Sequence, residues 1–165
     1  MPEKRTIAKA KEAKRQGKSP STQAGEFVRE EIHHIRRGKH GARSAKQAIA
    51  IGLSKARRAG VPLAPPRKGT VSEKTRRSSE RAYQRGQGRE KTPSPRRSRA
   101  GQRALKREGR SAASPGALAK QARSARRRRT PAARSASARQ AARTKGARRR
   151  SAAARKAART RARRR

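Results

Sequence analysis

The chain has no cysteine, no tryptophan and no aspartate; all nine of its acidic residues are glutamate. Without cysteine there is no disulfide framework, no cysteine zinc finger and no thiol nucleophile. Large apolar residues are scarce as well. Ile, Leu, Val and Phe number 13 of 165, far below the roughly 20% under which a highly charged chain reads as disordered. One well-packed domain of the full length is excluded. No apolar run approaches the ~18 residues of a membrane span. The start, Met1-Pro2-Glu3-Lys4-Arg5, leads into further charge rather than into the apolar centre of a signal peptide. The protein is therefore expected to stay in the cytoplasm, where it is made.

What is present is positive charge. Fifty-two Lys and Arg against nine Glu give a formal net charge of +43, and unpaired charge of that size repels itself and expands a chain. It calls for a polyanion. The distribution is uneven: residues 1–109 carry 31 basic and nine acidic side chains, whereas residues 110–165 carry 21 basic and none acidic. In that last third Arg outnumbers Lys 18 to 3, and most of the rest is Ala and Ser. Nine of the 13 large apolar residues fall instead between Ser19 and Pro65. The other four, Ile7, Val71, Leu105 and Leu118, look too scattered to pack together.

The local punctuation is that of helices, with no strand alternation anywhere. Ser19-Pro20, Ser94-Pro95, Ser114-Pro115 and Thr130-Pro131 each offer a hydroxyl N-cap followed by proline at the first helical position. Gly17, Gly38, Gly60, Gly86, Gly109 and Gly146 are placed to end helices in the left-handed conformation. The expected fold is mostly α where ordered: a small αα-hairpin with flexible basic arms, helical or disordered, and no sheet. Its parts are a basic N-terminal arm over 1–19, the hairpin over 20–66, a basic and partly helical linker over 67–109, and an Ala/Arg-rich tail over 110–165. Cooperative order is expected only within about 20–66.

The hairpin is the best-specified part. Residues 22–37 put Phe27, Val28, Ile32 and Ile35 on one helical face with Ala24. Ser44 and Gln47 form the two ends of a capping box. The helix 45–59 then aligns Ala45, Ala48, Ile49, Gly52, Leu53 and Ala56. Its small residues at 45, 48, 52 and 56 let another helix approach closely.

Residues 44–62, SAKQAIAIGLSKARRAGVP, resemble the signature of an uncharacterised bacterial family of small basic proteins, a domain of unknown function. Ser44, Lys46 to Ser54, Ala56 and Arg57 match its pattern; Ala45 stands where the family has Arg and Lys55 where it has Glu. The turn at Ile35-Arg36-Arg37-Gly38-Lys39 is also similar. The resemblance covers about residues 21–64, implies a bacterial or phage source and supplies no activity. Residues 110–165 resemble the Ala- and basic-rich arms of histone H1-like bacterial nucleoid proteins. Thr92-Pro93-Ser94-Pro95-Arg96-Arg97 resembles the minor-groove element of some histone tails.

Catalytic and metal chemistry find little support. Glu30 with His33 and Glu31 with His34 share the spacing of carboxylate metal helices, which need matching ligands from a second helix. Helix 45–59 contains no Asp, Glu, His or Cys. The residues therefore read as a polar helix surface, with no metal and no cofactor expected. Serine is frequent only in caps and linkers, without a positioned base, and no glycine run fits a phosphate-cradling loop. The protein is expected not to be an enzyme and to have no small-molecule substrate.

The charge clusters differ in kind. Arg126, Arg127, Arg128, Arg129, Arg148, Arg149, Arg150, Arg163, Arg164 and Arg165 lie in the 57 residues after Glu108, without one acid among them. Arg binds phosphate through a planar fork and enters narrow minor grooves. The free tail is expected to be disordered by repulsion and to turn helical as phosphates neutralise it. Fully helical, 56 residues would reach roughly 84 Å. With Arg96 and Arg97, and a docking face of Lys46, Lys55, Arg57 and Arg58, the tail points to sequence-independent, nucleoid-associated DNA binding. Single-strand binders stack bases on several aromatics, and only Phe27 and Tyr83 are available, so a duplex or structured nucleic acid is the favoured target. The alternatives are an RNA partner, a protein partner for the hairpin, and an anionic membrane. The last lacks the apolar face that basic amphipathic helices bury.

Overall fold

A computed structural model describes residues 2–88 and 94–162, with the backbone alone at 144, 145 and 147–150. It is helical, and no strand occurs among the described residues. The elements are α1 (Lys4–Arg15), α2 (Pro20–Arg36), α3 (Ala45–Arg58), α4 (Glu73–Gly86), α5 (Pro95–Lys106), a 3-10 turn (Ser111–Ala113), α6 (Pro115–Arg127) and α7 (Pro131–Ala162). The chain divides into two compact units, residues 1–121 and 122–165.

Most of the anticipated stop and start signals do what their chemistry suggests. Ser94, Ser114 and Thr130 accept the amide hydrogens of Arg97, Ala117 and Ala133 at 3.2–3.4 Å. Ser19 instead shares its hydroxyl with Ser21 and Thr22. Ser44 accepts from the Gln47 amide at 3.2 Å, while the Gln47 side chain takes the amide of Arg43, one residue before the cap. Helices α1, α2 and α3 each close with a left-handed glycine, at Gly17, Gly38 and Gly60. In each, paired backbone bonds of the Schellman type cover the last carbonyls.

Gly86 and Gly109 do not follow that expectation. Gly86 stays helical and Gly88 takes the left-handed turn after α4. Its glycine serves a close approach: a Cβ there would strike the carbonyl of Arg57 at the end of α3.

The hairpin forms as α2 against α3, and the small-residue stripe is its seam. Ala45, Ala48, Gly52 and Ala56 are all buried, and a Cβ on Gly52 would lie 2.7 Å from the Cα of Val28. Only small side chains permit this spacing.

The hairpin does not stand alone, however. Helix α1 packs on α2 and α4 packs on α3. One apolar cluster joins Ala24, Phe27, Ala56 and Val61 to Ala10 of α1, with Ile7 packed against it. The other joins Ile32, Ile35, Ala42 and Ala48 to Ala112 and Ala113, with Leu118 alongside. Ile7 and Leu118, which looked too scattered to contribute, thus complete the two clusters. The 105–113 segment is tied down through its backbone: the amides of Gly41 and Ala42 donate to the carbonyls of Leu105 and Gly109, and Arg36 donates to the carbonyl of Ala113 at 2.9 Å. Order therefore extends well beyond 20–66, because alanines from distant segments fill the small gaps that the large apolar residues leave.

The second unit has no such support. Residues 151–162 are exposed throughout, and 122–143 reach half-burial only at Ala133, Ser137 and Ala142. Within the region expected to be disordered until bound, Pro115–Arg127 and Pro131–Ala162 are helical. Alanine's high helix propensity and the Thr130-Pro131 start account for that. It is not one straight 84 Å rod, since a turn at 128–130 and the non-helical Gly146 (φ 65°, ψ 166°) break it.

Candidate functional site

The basic residues separate into two populations. On the hairpin, Lys46 is exposed but Lys55 and Arg57 are not available as a docking face. Arg57 is 5% exposed, and its guanidinium donates to the carbonyls of Leu63 and Ala64 at 3.0 and 3.2 Å. Burial lowers its proton affinity from the ordinary value. Lys55 is half-buried and contacts Glu31 at 2.5 Å. Both were expected to face a phosphate; both instead hold the fold together, because burying a charge requires a partner. Arg58 is exposed, and partial desolvation and the neighbouring Arg85 lower its proton affinity. Those two cations mark the shared end of α3 and α4.

From α5 onward the described arginine side chains face water. Arg96 and Arg97 sit on the first turn of α5, a helix with no buried residue. Arg126 and Arg127 end α6, and Arg128 and Arg129 form the turn before α7; all four are exposed. Arg129 donates to Ser137 at 2.7 Å, bracing that turn. Helix α7 carries Arg134, Arg139, Arg143, Arg155, Lys156, Arg159 and Arg161, all exposed. Arg148, Arg149 and Arg150 lie on α7, but their side chains fall outside those described. Arg163, Arg164 and Arg165 lie outside the described residues, as do Thr92 and Pro93 of the histone-tail-like element. No glutamate occurs after Glu108, so no carboxylate within the second unit competes for these guanidinium groups.

A second cluster was not anticipated. The Glu30–His34 side of α2, expected to be polar surface, is buried, and only His33 faces solvent. Glu31 is fully buried between Lys55 on Oε2 and His40 Nε2, 3.3 Å from Oε1. Glu30 Oε1 accepts the amide of Glu3 at 3.2 Å and lies 3.7 Å from His34 Nε2. His34 Nε2 is also 2.9 Å from Glu3 Oε1, which Lys39 approaches at 3.3 Å. These partners, His34 first, hold the Glu3 carboxyl below its usual range. Two buried oxygens, Glu30 Oε2 and Glu31 Oε1, have no hydrogen bond. Two triads, Glu31–His34–His40 and Glu3–Glu30–His34, each bring three ligand atoms within 4.8 Å of one another. The second-helix ligands whose absence argued against a metal are supplied by the 37–44 turn and by the N-terminus. Periodicity within one helix could not reveal them.

Among the described residues no helix is long and apolar enough to cross a membrane. Comparison with protein-family models, curated proteins and solved structures found no match.

Proposed function

We propose that this chain is a non-enzymatic nucleic-acid-binding protein of histone-like character, in which residues 1–121 form a folded body and residues 122–165 form a phosphate-binding arm. One observation carries the reading. The arm holds 19 basic residues and no acid, and its described residues bury almost none of their surface. Polyphosphate is the partner that neutralises such a surface, and each phosphate contacted releases condensed counterions, which makes affinity strongly salt-dependent. Contacts of this kind carry no base information, so binding is largely independent of sequence. The breaks at 128–130 and Gly146 give an arm of short helical pieces. Those of α7, about 15 residues each, reach roughly 23 Å, and each piece can follow its own stretch of backbone.

Duplex DNA is favoured over single strands because Phe27 is in the core and Tyr83 is half-buried, leaving no stacking platform. An anionic membrane is disfavoured because residues 151–162, exposed on every side, contain no Leu, Ile, Val, Phe or Trp. A free hairpin module is disfavoured because α1 and α4 already cover it.

Nuclease-controlled recovery of the chain from cells tests the proposal. Loss of co-recovered polymer with DNase and not RNase is the expected result. The reverse pattern would make the partner RNA, and recovery without any nucleic acid would end the reading.

A further inference from the structure

The buried cluster on α2 contains an arrangement that hydrogen bonding alone does not satisfy. His40 Nδ1 lies 3.1 Å from the carbonyl of Gly41. A carbonyl only accepts, so Nδ1 carries the proton. The ring's Nε2 lies 3.3 Å from Glu31 Oε1, an oxygen of a fully buried carboxylate with no hydrogen bond. One ligand atom from each of Glu31, His34 and His40 lies within 4.8 Å of the others.

We propose that Glu31, His34 and His40 form a binding site for a borderline divalent transition metal, of which zinc is the type, that ties α2 to the turn leading into α3. The spacing suits such an ion. Tetrahedral bonds of ~2.0 Å place neighbouring ligand atoms about 3.3 Å apart, the distance already held between His40 and Glu31. Two imidazoles and one carboxylate select zinc-like ions over magnesium or calcium, which prefer oxygen donors throughout.

The surroundings do what the outer shell of a metal site does. The Gly41 carbonyl fixes the His40 tautomer, and Glu3 orients His34. Lys55 occupies Oε2 of Glu31, which leaves Oε1 as a single ligand atom. Three protein ligands leave a fourth position for water. A groove lined by Gly38, Lys39, Lys106, Glu108 and Arg110 opens beside His40.

The test uses the full chain, freed of nucleic acid, titrated with zinc chloride and separately with magnesium chloride. It is followed by calorimetry, thermal melting and the NMR signals of its three imidazoles. Expected are one zinc per chain, a rise in melting temperature with zinc, movement of the His34 and His40 signals with His33 unmoved, and no response to magnesium. His40→Ala should lower zinc affinity at least about tenfold while keeping the far-ultraviolet helical signal, and His33→Ala should bind as the parent does. His34→Ala is a second variant for the same loss. Failure to take up one zinc per chain, equal affinity in His40→Ala, or equal movement of all three imidazoles would overturn the site.

Discussion

The two units use the same cation in opposite ways. In residues 1–121 every glutamate of the chain is present, and a few basic side chains are drawn into the structure. Arg57 ties down the 63–64 segment, Arg36 holds Ala113, and Lys55 neutralises Glu31. In residues 122–165 there is no carboxylate side chain, and the described arginine side chains stay on the surface. An arginine's role here is set less by its local sequence than by whether a carbonyl or carboxylate can reach it. That rule separates fold from binding surface in a chain where both are built from the same residues.

The largest effect that could break the comparison comes from cutting after Gln121. Ala112, Ala113 and Leu118 belong to the core, so a cut at 110 would damage the fold, whereas a cut at 121 removes 19 of 52 cations and leaves both apolar clusters. Duplex affinity should fall by roughly a hundredfold or more at about 0.1 M salt, with the melting temperature of 1–121 little changed. Equal affinity would move the binding surface onto the body.

The converse substitution lies in the core. Phe27→Ala should cost the body about 3–5 kcal/mol, read by denaturant unfolding, while the salt dependence of DNA binding stays with the arm. A matching loss of binding would show that the two units do not divide the work.

Smaller effects sharpen the role of arginine. Replacing Arg126, Arg127, Arg128 and Arg129 by Lys preserves the net charge of +43. The slope of affinity against salt should hold, because released counterions follow charge. The affinity itself should drop a few-fold as the planar fork is lost. Identical titrations on A/T-rich and G/C-rich duplexes would leave plain electrostatics as the whole account.

The smallest effect is local to α4. Glu73 follows the Ser72 cap and is held at about 2 by hydrogen bonds from Arg76 and then Arg77. A carboxylate lowered in this way supports the fold above its ordinary value of 4.5 and loses that support as pH falls toward about 2. In Arg76→Ala the Glu73 carboxyl, followed by NMR, should titrate closer to 4.5. An unmoved titration would remove Arg76 as its main partner.

How much of this was legible in the sequence depends on the range of the signal. The α2–α3 pair and its small-residue seam could be read from spacing within each helix, as could three of the four hydroxyl caps. The docking of Ala112 and Ala113 could not, because two alanines in an Ala-rich chain carry no pattern. The burial of Glu30, Glu31 and His34 was hidden because their partners, Glu3, His40 and Lys55, lie elsewhere in the chain. Lys55 and Arg57 were misread for the same reason: Lys55 meets Glu31 on α2, and Arg57 finds its acceptors six and seven residues on, past a turn. The arm's exposure was legible because an acid-free segment without large apolar residues has nothing to bury against.

The most direct test of the central claim is the salt dependence of duplex binding, measured for the full chain and for residues 1–121 side by side. If about ten phosphates are neutralised, the full chain should give a log–log slope near −9 on B-form DNA, with scrambled duplexes binding within a few-fold of one another. Residues 1–121 should give a much shallower line. A full-chain slope no steeper than that of 1–121, or a strong preference for one base sequence, would contradict an arm that binds by charge.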